Sequence, residues 1–147
     1  MASSLAQLYE QDYALWLDVS CRLLKAGRLS ELDIANLLEE LEDMGRSEKQ
    51  SLTSNLIVVL RHLLKYAYQP GQRSNSWRFV LKEHRRRLQE SLNTSPTLKA
   101  YFEEIFAVCY QEARDLAATE TGVGIENFPL ESPFSLEQSL DRGFLPR

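Results

Sequence analysis

Four ionisable side chains fall where hydrophobic spacing calls for apolar ones, and they are the chain's best opportunity for chemistry. Asp12 lies in register with Leu8, Leu15, Trp16 and Val19. His84 sits between Val80, Leu81 and Leu88, while Glu112 and Glu120 interrupt the face that Cys109, Ala113 and Leu116 define. A buried carboxylate must find a partner or take up a proton, so Asp12 is expected to meet an arginine, a Trp N–H or His84. Gathered in a bundle centre, Asp12, His84, Glu112 and Glu120 would line a polar pocket, with His84 as base or ligand and Asp12 or Glu112 beside it. Bundles do build metal sites from inward Glu and Glu-x-x-His motifs. This chain has only two histidines and no Glu-x-x-His. His62 falls at the edge of its helix stripe beside Tyr66. Satisfied structural polar groups are therefore expected, and no catalytic residue, metal or cofactor is assigned.

A second kind of chemistry is recognition by charge. Residues 1–70 carry net −3, residues 71–99 net +5 and residues 100–147 net −6. Within the basic stretch Arg78, Lys82, Arg85 and Arg86 recur at helical spacing and predict a cationic ridge. Arg73 and Trp77 add guanidinium and aromatic groups able to grip phosphates and stack on bases. The plainer expectation is that these cations pair with Glu39, Glu40, Glu42 and Asp43, or with the Glu103–Glu104 turn. The whole chain is net −4, which dilutes any long-range pull on nucleic acid. Phe79 points away from the stripe of its helix, so either a partner or the C-terminal segment is expected over it.

The remaining candidates are weaker. Cys21 lies off its helix stripe and Cys109 on an inner face, and neither has a neighbouring His in sequence, which suits inert packing. Two cysteines are too few for a disulfide framework or a thiolate zinc site. No phosphate loop, nucleophile elbow or zinc-protease motif is present. The run from Glu39 to Asp43 spreads around a helix, lacks the loop a calcium site needs, and is expected to be a solvated face.

The elements that must position these residues are helices. Leu5, Leu8, Leu15, Trp16, Val19, Leu23 and Ala26 predict one helix, capped by Ser3 or Ser4 and ended by Gly27. Ile34, Leu37, Leu38, Leu41 and Met44 predict a short amphipathic second helix, an elbow closed by Gly45. Ser47 to Gln50 reads as a capping box opening a third, which runs through Leu52, Leu56, Val59, Leu60, Leu63, Leu64 and Ala67 to Pro70-Gly71. A fourth carries Trp77, Val80, Leu81, Leu88 and Leu92. Ser95-Pro96 opens a fifth, lined by Leu98, Tyr101, Phe102, Ile105, Phe106, Cys109, Ala113 and Leu116 as far as Gly122. Beyond it, Phe128, Phe134, Leu140 and Phe144 are too apolar for a free tail, and Ser135 to Gln138 predicts one more short helix. No strand pattern or repeat appears. The expected fold is all-α, an antiparallel bundle of four long helices plus one short helix within a single domain, 1–147. The bundle spans about residues 5–121, with the Pro-containing segment 122–147 packed on it.

Several segments together resemble a bacterial family known as domain of unknown function 29, common in cyanobacteria. They are LYEQDYALWL at 8–17, LLKAGRLSELDIANLLEELEDMGRSE at 23–48, HLLKYAYQP at 62–70, RSNSWR at 73–78, ETG at 120–122 and FPLESPFSLEQSLDRGFLP at 128–146. The resemblance is collinear over nearly the whole chain and implies an entirely helical fold. It implies Gln rather than His at position 84, and it brings no activity or catalytic residue.

No apolar run approaches the roughly 18 residues of a membrane span, and the N-terminus lacks the basic and apolar regions of a secretory signal. A cytoplasmic location is expected. The functional expectation is a non-enzymatic interaction or accessory module that binds another protein or itself through charged helix faces. Its alternative is a nucleic-acid accessory protein using Arg73, Trp77, Arg78, Lys82, Arg85 and Arg86. Behind both stands an enzyme with a polar pocket at Asp12, His84 and Glu112.

Overall fold

A computed structural model describes residues 2–147, with side chains from Leu5 onward. The capping role expected of Ser3 or Ser4 lies outside those side chains. Six α-helices and three short 3-10 turns form, with no strand among the described residues. The all-α expectation holds, but the chain breaks at different places.

The first break is Asp12. It separates α1, Ala2–Gln11, from α2, Tyr13–Lys25. Its backbone leaves the helical region, at φ −152° and ψ 88°, and its carboxylate accepts the Leu15 N–H. Short polar side chains that can bond nearby backbone favour the N-cap over the helix interior. Asp12 is therefore not on a buried stripe: it is exposed and ends the one-helix expectation for residues 5–26. After α2, Gly27 takes φ +71°, a left-handed conformation that favours glycine.

Gly45 does the opposite of what was expected. The helix α3, Ile34–Tyr68, runs straight through it and through Ser47 to Gln50, so neither the elbow nor that capping box exists. One glycine costs a helix about 1 kcal/mol, and here it is flanked by the strong helix formers Leu41, Glu42, Met44 and Arg46. Pro70 then sits in a 3-10 turn, Ser74 caps α4, Asn75–Thr94, and its hydroxyl accepts the Trp77 N–H. The fifth helix, α5, begins at Leu98 rather than at Pro96, and ends at Thr121 with Gly122 left-handed. The capping box from Ser135 to Gln138 forms as expected and opens α6, Leu136–Leu140.

Contacts divide the chain into two compact units, Met1–Ser47 and Glu48–Arg147. In the second, the core is made by Leu52, Leu56, Val59, Leu60, Leu63 and Leu64 of α3, Leu81 and Leu88 of α4, Phe102 to Ala117 of α5, and Phe128 and Phe134 beyond it. Contacts at both ends fix the directions. Asn55 meets His84 and Lys65 meets Trp77, so α4 runs antiparallel to α3. Lys49 meets Tyr101 and Lys65 meets Glu120, so α5 runs parallel to α3. The result is an up-down-up arrangement.

The C-terminal segment is strapped on by side chains reaching its carbonyls. The Tyr110 hydroxyl donates to the Pro129 carbonyl at 2.6 Å, Arg114 to Phe128 at 3.1 Å and Gln89 to Leu140 at 2.6 Å. No helix among the described residues is long and apolar enough to cross a membrane.

Candidate functional site

In Met1–Ser47 one side of α3 is clamped by aromatic residues. The Tyr9 and Tyr13 hydroxyls donate to the two oxygens of Glu40, at 2.5 and 2.6 Å. Accepting both bonds, the Glu40 carboxylate disfavours a second negative charge on either ring, and both phenol pKa values rise. The Trp16 indole N–H donates to Asp33 at 3.1 Å, and Asp33 also accepts from the Asn36 side chain at 2.7 Å. Tyr9 meets the Tyr13 and Trp16 rings edge-on, and Trp16 is wholly buried.

These contacts draw on Asp33, Asn36 and Glu40, one flank of the helix. The apolar residues expected to face a core are left outside. Ile34, Leu38, Leu41 and Met44 are each more than half exposed, and only Leu37 is half-buried. On the far flank Glu39 and Glu42 follow one another at i and i+3, and Arg46 is engaged by Asp43 and, at 3.9 Å, by Glu42. The cation that Glu42 and Asp43 find among the described residues is thus Arg46 of their own helix. Residues 1–47 hold nine acidic and four basic side chains, net −5. The site is an apolar helix face with an acidic rim.

The cationic ridge expected on α4 is largely spent within Glu48–Arg147. Arg85 is 1% exposed. Its guanidinium donates to the carbonyls of Gln138 at 2.9 Å, Ser139 at 3.3 Å and Phe144 at 2.8 Å. Two of those belong to the last turn of α6, whose carbonyls lack helical partners and attract a cation. Arg85 is thus a buried clamp and no part of a surface ridge, and burial pulls its pKa down.

Arg86 pairs with Glu83 and Glu90 on its own helix, and Arg87 with Glu83. Hydrogen bonds from both arginines hold the Glu83 carboxyl at about 2. Arg73 donates to the Tyr66 carbonyl at 2.8 Å and lies over the Tyr66 ring, with Arg78 above the same ring at 5.7 Å. Trp77 stacks under Lys65 at 4.7 Å. Lys82 and Phe79 remain exposed, and the C-terminal segment does not cover Phe79.

The polar cluster expected from Asp12, His84, Glu112 and Glu120 is not a buried one. Asp12, Glu112 and Glu120 are exposed. Glu120 accepts from Lys65 at 3.0 Å and lies 3.7 Å from Arg61. His84 is half-buried and donates from Nδ1 to the Asn55 side-chain oxygen at 2.8 Å; desolvation lowers its pKa. The buried histidine is instead His62, whose Nδ1 donates to the Val58 carbonyl at 2.9 Å. Burial takes its pKa down to about 4. Cys21 is exposed, whereas Cys109 is buried and its thiol pushed up to about 11 by desolvation.

Spacing alone could have shown that Arg85 lies inward. Residues 81, 85, 88 and 92 follow the helical repeat, so Arg85 rather than His84 shares the stripe of Leu81 and Leu88. For the uncovered face no such signal exists, because spacing shows which side is apolar and not whether anything lies on it.

The sequence model of a family described as "Domain of unknown function DUF29" matches residues 8–145. No curated protein and no solved structure matches the chain.

Proposed function

The chain belongs to the DUF29 family, whose description assigns no activity, and from that premise we propose a non-enzymatic protein-interaction module. One observation carries the reading: Ile34, Leu38, Leu41 and Met44 form a helix face left more than half exposed among the described residues, in the unit with the lesser core. Apolar surface set contiguously on one helix is a costly feature unless a partner removes it from water. The polar groups beside it are already satisfied by Tyr9, Tyr13 and Trp16, so the face is held in shape before anything docks. Such a module suits the cytoplasm, where two unpaired cysteines stay reduced.

The nucleic-acid reading draws less support, since Arg85 is buried and Arg86 and Arg87 are paired on their own helix. An enzyme draws less still, because Asp12, Glu112 and Glu120 are exposed to solvent, whereas a pocket inside a bundle needs them enclosed.

The reading is tested by replacing Leu38 and Leu41 together with Gln, which keeps helix propensity. Tagged full-length protein and this variant are used to capture partners from the source cell after nuclease treatment. Partners held by the parent and lost by the variant, with circular dichroism unchanged, support the module. Identical captures by both proteins overturn it.

A further inference from the structure

We propose that the occupant of the Ile34–Gly45 face is a cationic amphipathic helix of another protein; this rests on the interaction reading above and adds the chemistry of the partner. Charge favours such a partner. Glu42 lies one turn from Leu38 at the edge of the stripe, with Glu39 one turn behind it on the outer flank; Arg46 on that flank is engaged by Asp43, and residues 1–47 are net −5. Two copies of this face would set like charges against each other, whereas a helix with Lys or Arg flanking its apolar stripe gains at the same rim. Shape favours it as well. Ile34, Leu38, Leu41 and Gly45 follow the i, i+4, i+7, i+11 progression of a helix-packing stripe. That pattern suits a helix laid along a helix.

Gly45 favours it independently of charge. It lies inside a 35-residue helix, and a Cβ built on it would meet nothing within 4 Å. Glycine there weakens the helix without relieving any contact among the described residues. Its place at the end of the exposed stripe is accounted for by a partner backbone that approaches closely, as glycine permits where helices cross.

The test titrates the full chain into two labelled synthetic helices that share one Leu stripe, one flanked by Lys and the other by Glu. Fluorescence anisotropy reads binding, and sedimentation velocity reads self-association in the same samples. The Lys-flanked helix is expected to bind about ten-fold more tightly, an advantage that shrinks as salt rises. Glu39→Lys with Glu42→Lys should reverse the preference, and Gly45→Ala should raise the melting temperature yet weaken binding.

Three results would overturn the inference: no binding of the Lys-flanked helix, equal affinity for the two helices, or a Leu38-dependent dimer of the chain itself. Leu38→Gln with Leu41→Gln distinguishes loss of the apolar site from loss of the charge preference. If that variant binds as the parent does, the apolar face is not the site and both readings fall. If it loses binding while charge makes no difference, only the cationic partner falls.

Discussion

The two compact units treat the same hydrophobic spacing in opposite ways. Leu52, Leu56, Val59 and Leu63 are each fully buried, packed with residues of α4 and α5. Ile34, Leu38 and Leu41 keep the same alternation of three and four residues, and all are exposed. Sixteen of the seventeen buried hydrophobic residues among the described ones belong to Glu48–Arg147, and the other is Trp16. A segment of 47 residues is near the lower limit for building a core alone. Met1–Ser47 is held instead by an aromatic cluster and hydrogen bonds to Asp33 and Glu40. The contrast teaches that an amphipathic helix can mean a core or an open surface, and that the two differ in what a mutation costs.

The largest expected effect is at Arg85. Arg85→Ala strips three carbonyls of their donor and leaves a void where a fully buried side chain was. Each orphaned group costs about 1–3 kcal/mol, so a loss of about 4 kcal/mol or more is expected in urea unfolding. Arg85→Lys should not restore it, since an ammonium cannot span three carbonyls in the planar fork of a guanidinium. Recovery by Lys would show that the charge alone, and not the fork, holds the C-terminal segment.

Next is a matched pair that sets one unit directly against the other. Leu60→Ala removes a wholly buried side chain and should cost about 3 kcal/mol. Leu38→Ala removes an exposed one and should stay within about 0.5 kcal/mol. The chain's two tryptophans allow each unit to be followed alone. Trp77 reports Glu48–Arg147 in a Trp16→Phe background, and Trp16 reports Met1–Ser47 in a Trp77→Phe background. Equal losses at Leu60 and Leu38 would erase the distinction between covered and open faces.

A pH effect of smaller size belongs to the C-terminal unit. His62 titrates near 6.5 when unfolded but at about 4 when buried. Between those values the unfolded chain binds a proton that the folded one does not. Stability is therefore complete above pH 6.5 and declines as pH falls towards 4, by about 2–3 kcal/mol. His84, also lowered, adds a loss of the same sign. In His62→Gln the decline between pH 6.5 and 4 should flatten, as read by urea midpoints at successive pH values. A parallel decline in both proteins would assign the acid sensitivity elsewhere.

Much of the architecture is legible in the sequence, and the exceptions have physical causes. The all-α class, the helix stops at Gly27, Pro70 and Gly122, and the cap at Ser135 follow from local chemistry that acts within a few residues. Gly45 misled because a glycine's cost is small against thirty-four helical neighbours. Arg85 was readable from its spacing but resembled its neighbours Arg86 and Arg87 in type. The candidate site was legible only in part: the apolar residues of 34–44 and the acidic run are both plain in the sequence. That Glu40 serves two tyrosines, and that the stripe stays open, depend on contacts between residues far apart in sequence.

The smallest effect tests how the open unit is held together, at the residue where expectation and structure parted. Asp12→Ala removes the acceptor for the Leu15 N–H and should cost about 1 kcal/mol. It should be read by Trp16 in the Trp77→Phe background. Asp12→Ser keeps an acceptor at the N-cap and should recover most of it. Alanine is also the best helix former, so it favours joining α1 to α2 as one helix. That would move Tyr9 relative to Tyr13 and Trp16 and strain the paired hydrogen bonds to Glu40. A lowered midpoint for Trp16 with no change for Trp77 would show that the cap sets the bend between α1 and α2. An unchanged midpoint with unchanged helicity would instead assign the bend to the aromatic cluster, with Asp12 merely occupying a turn already made.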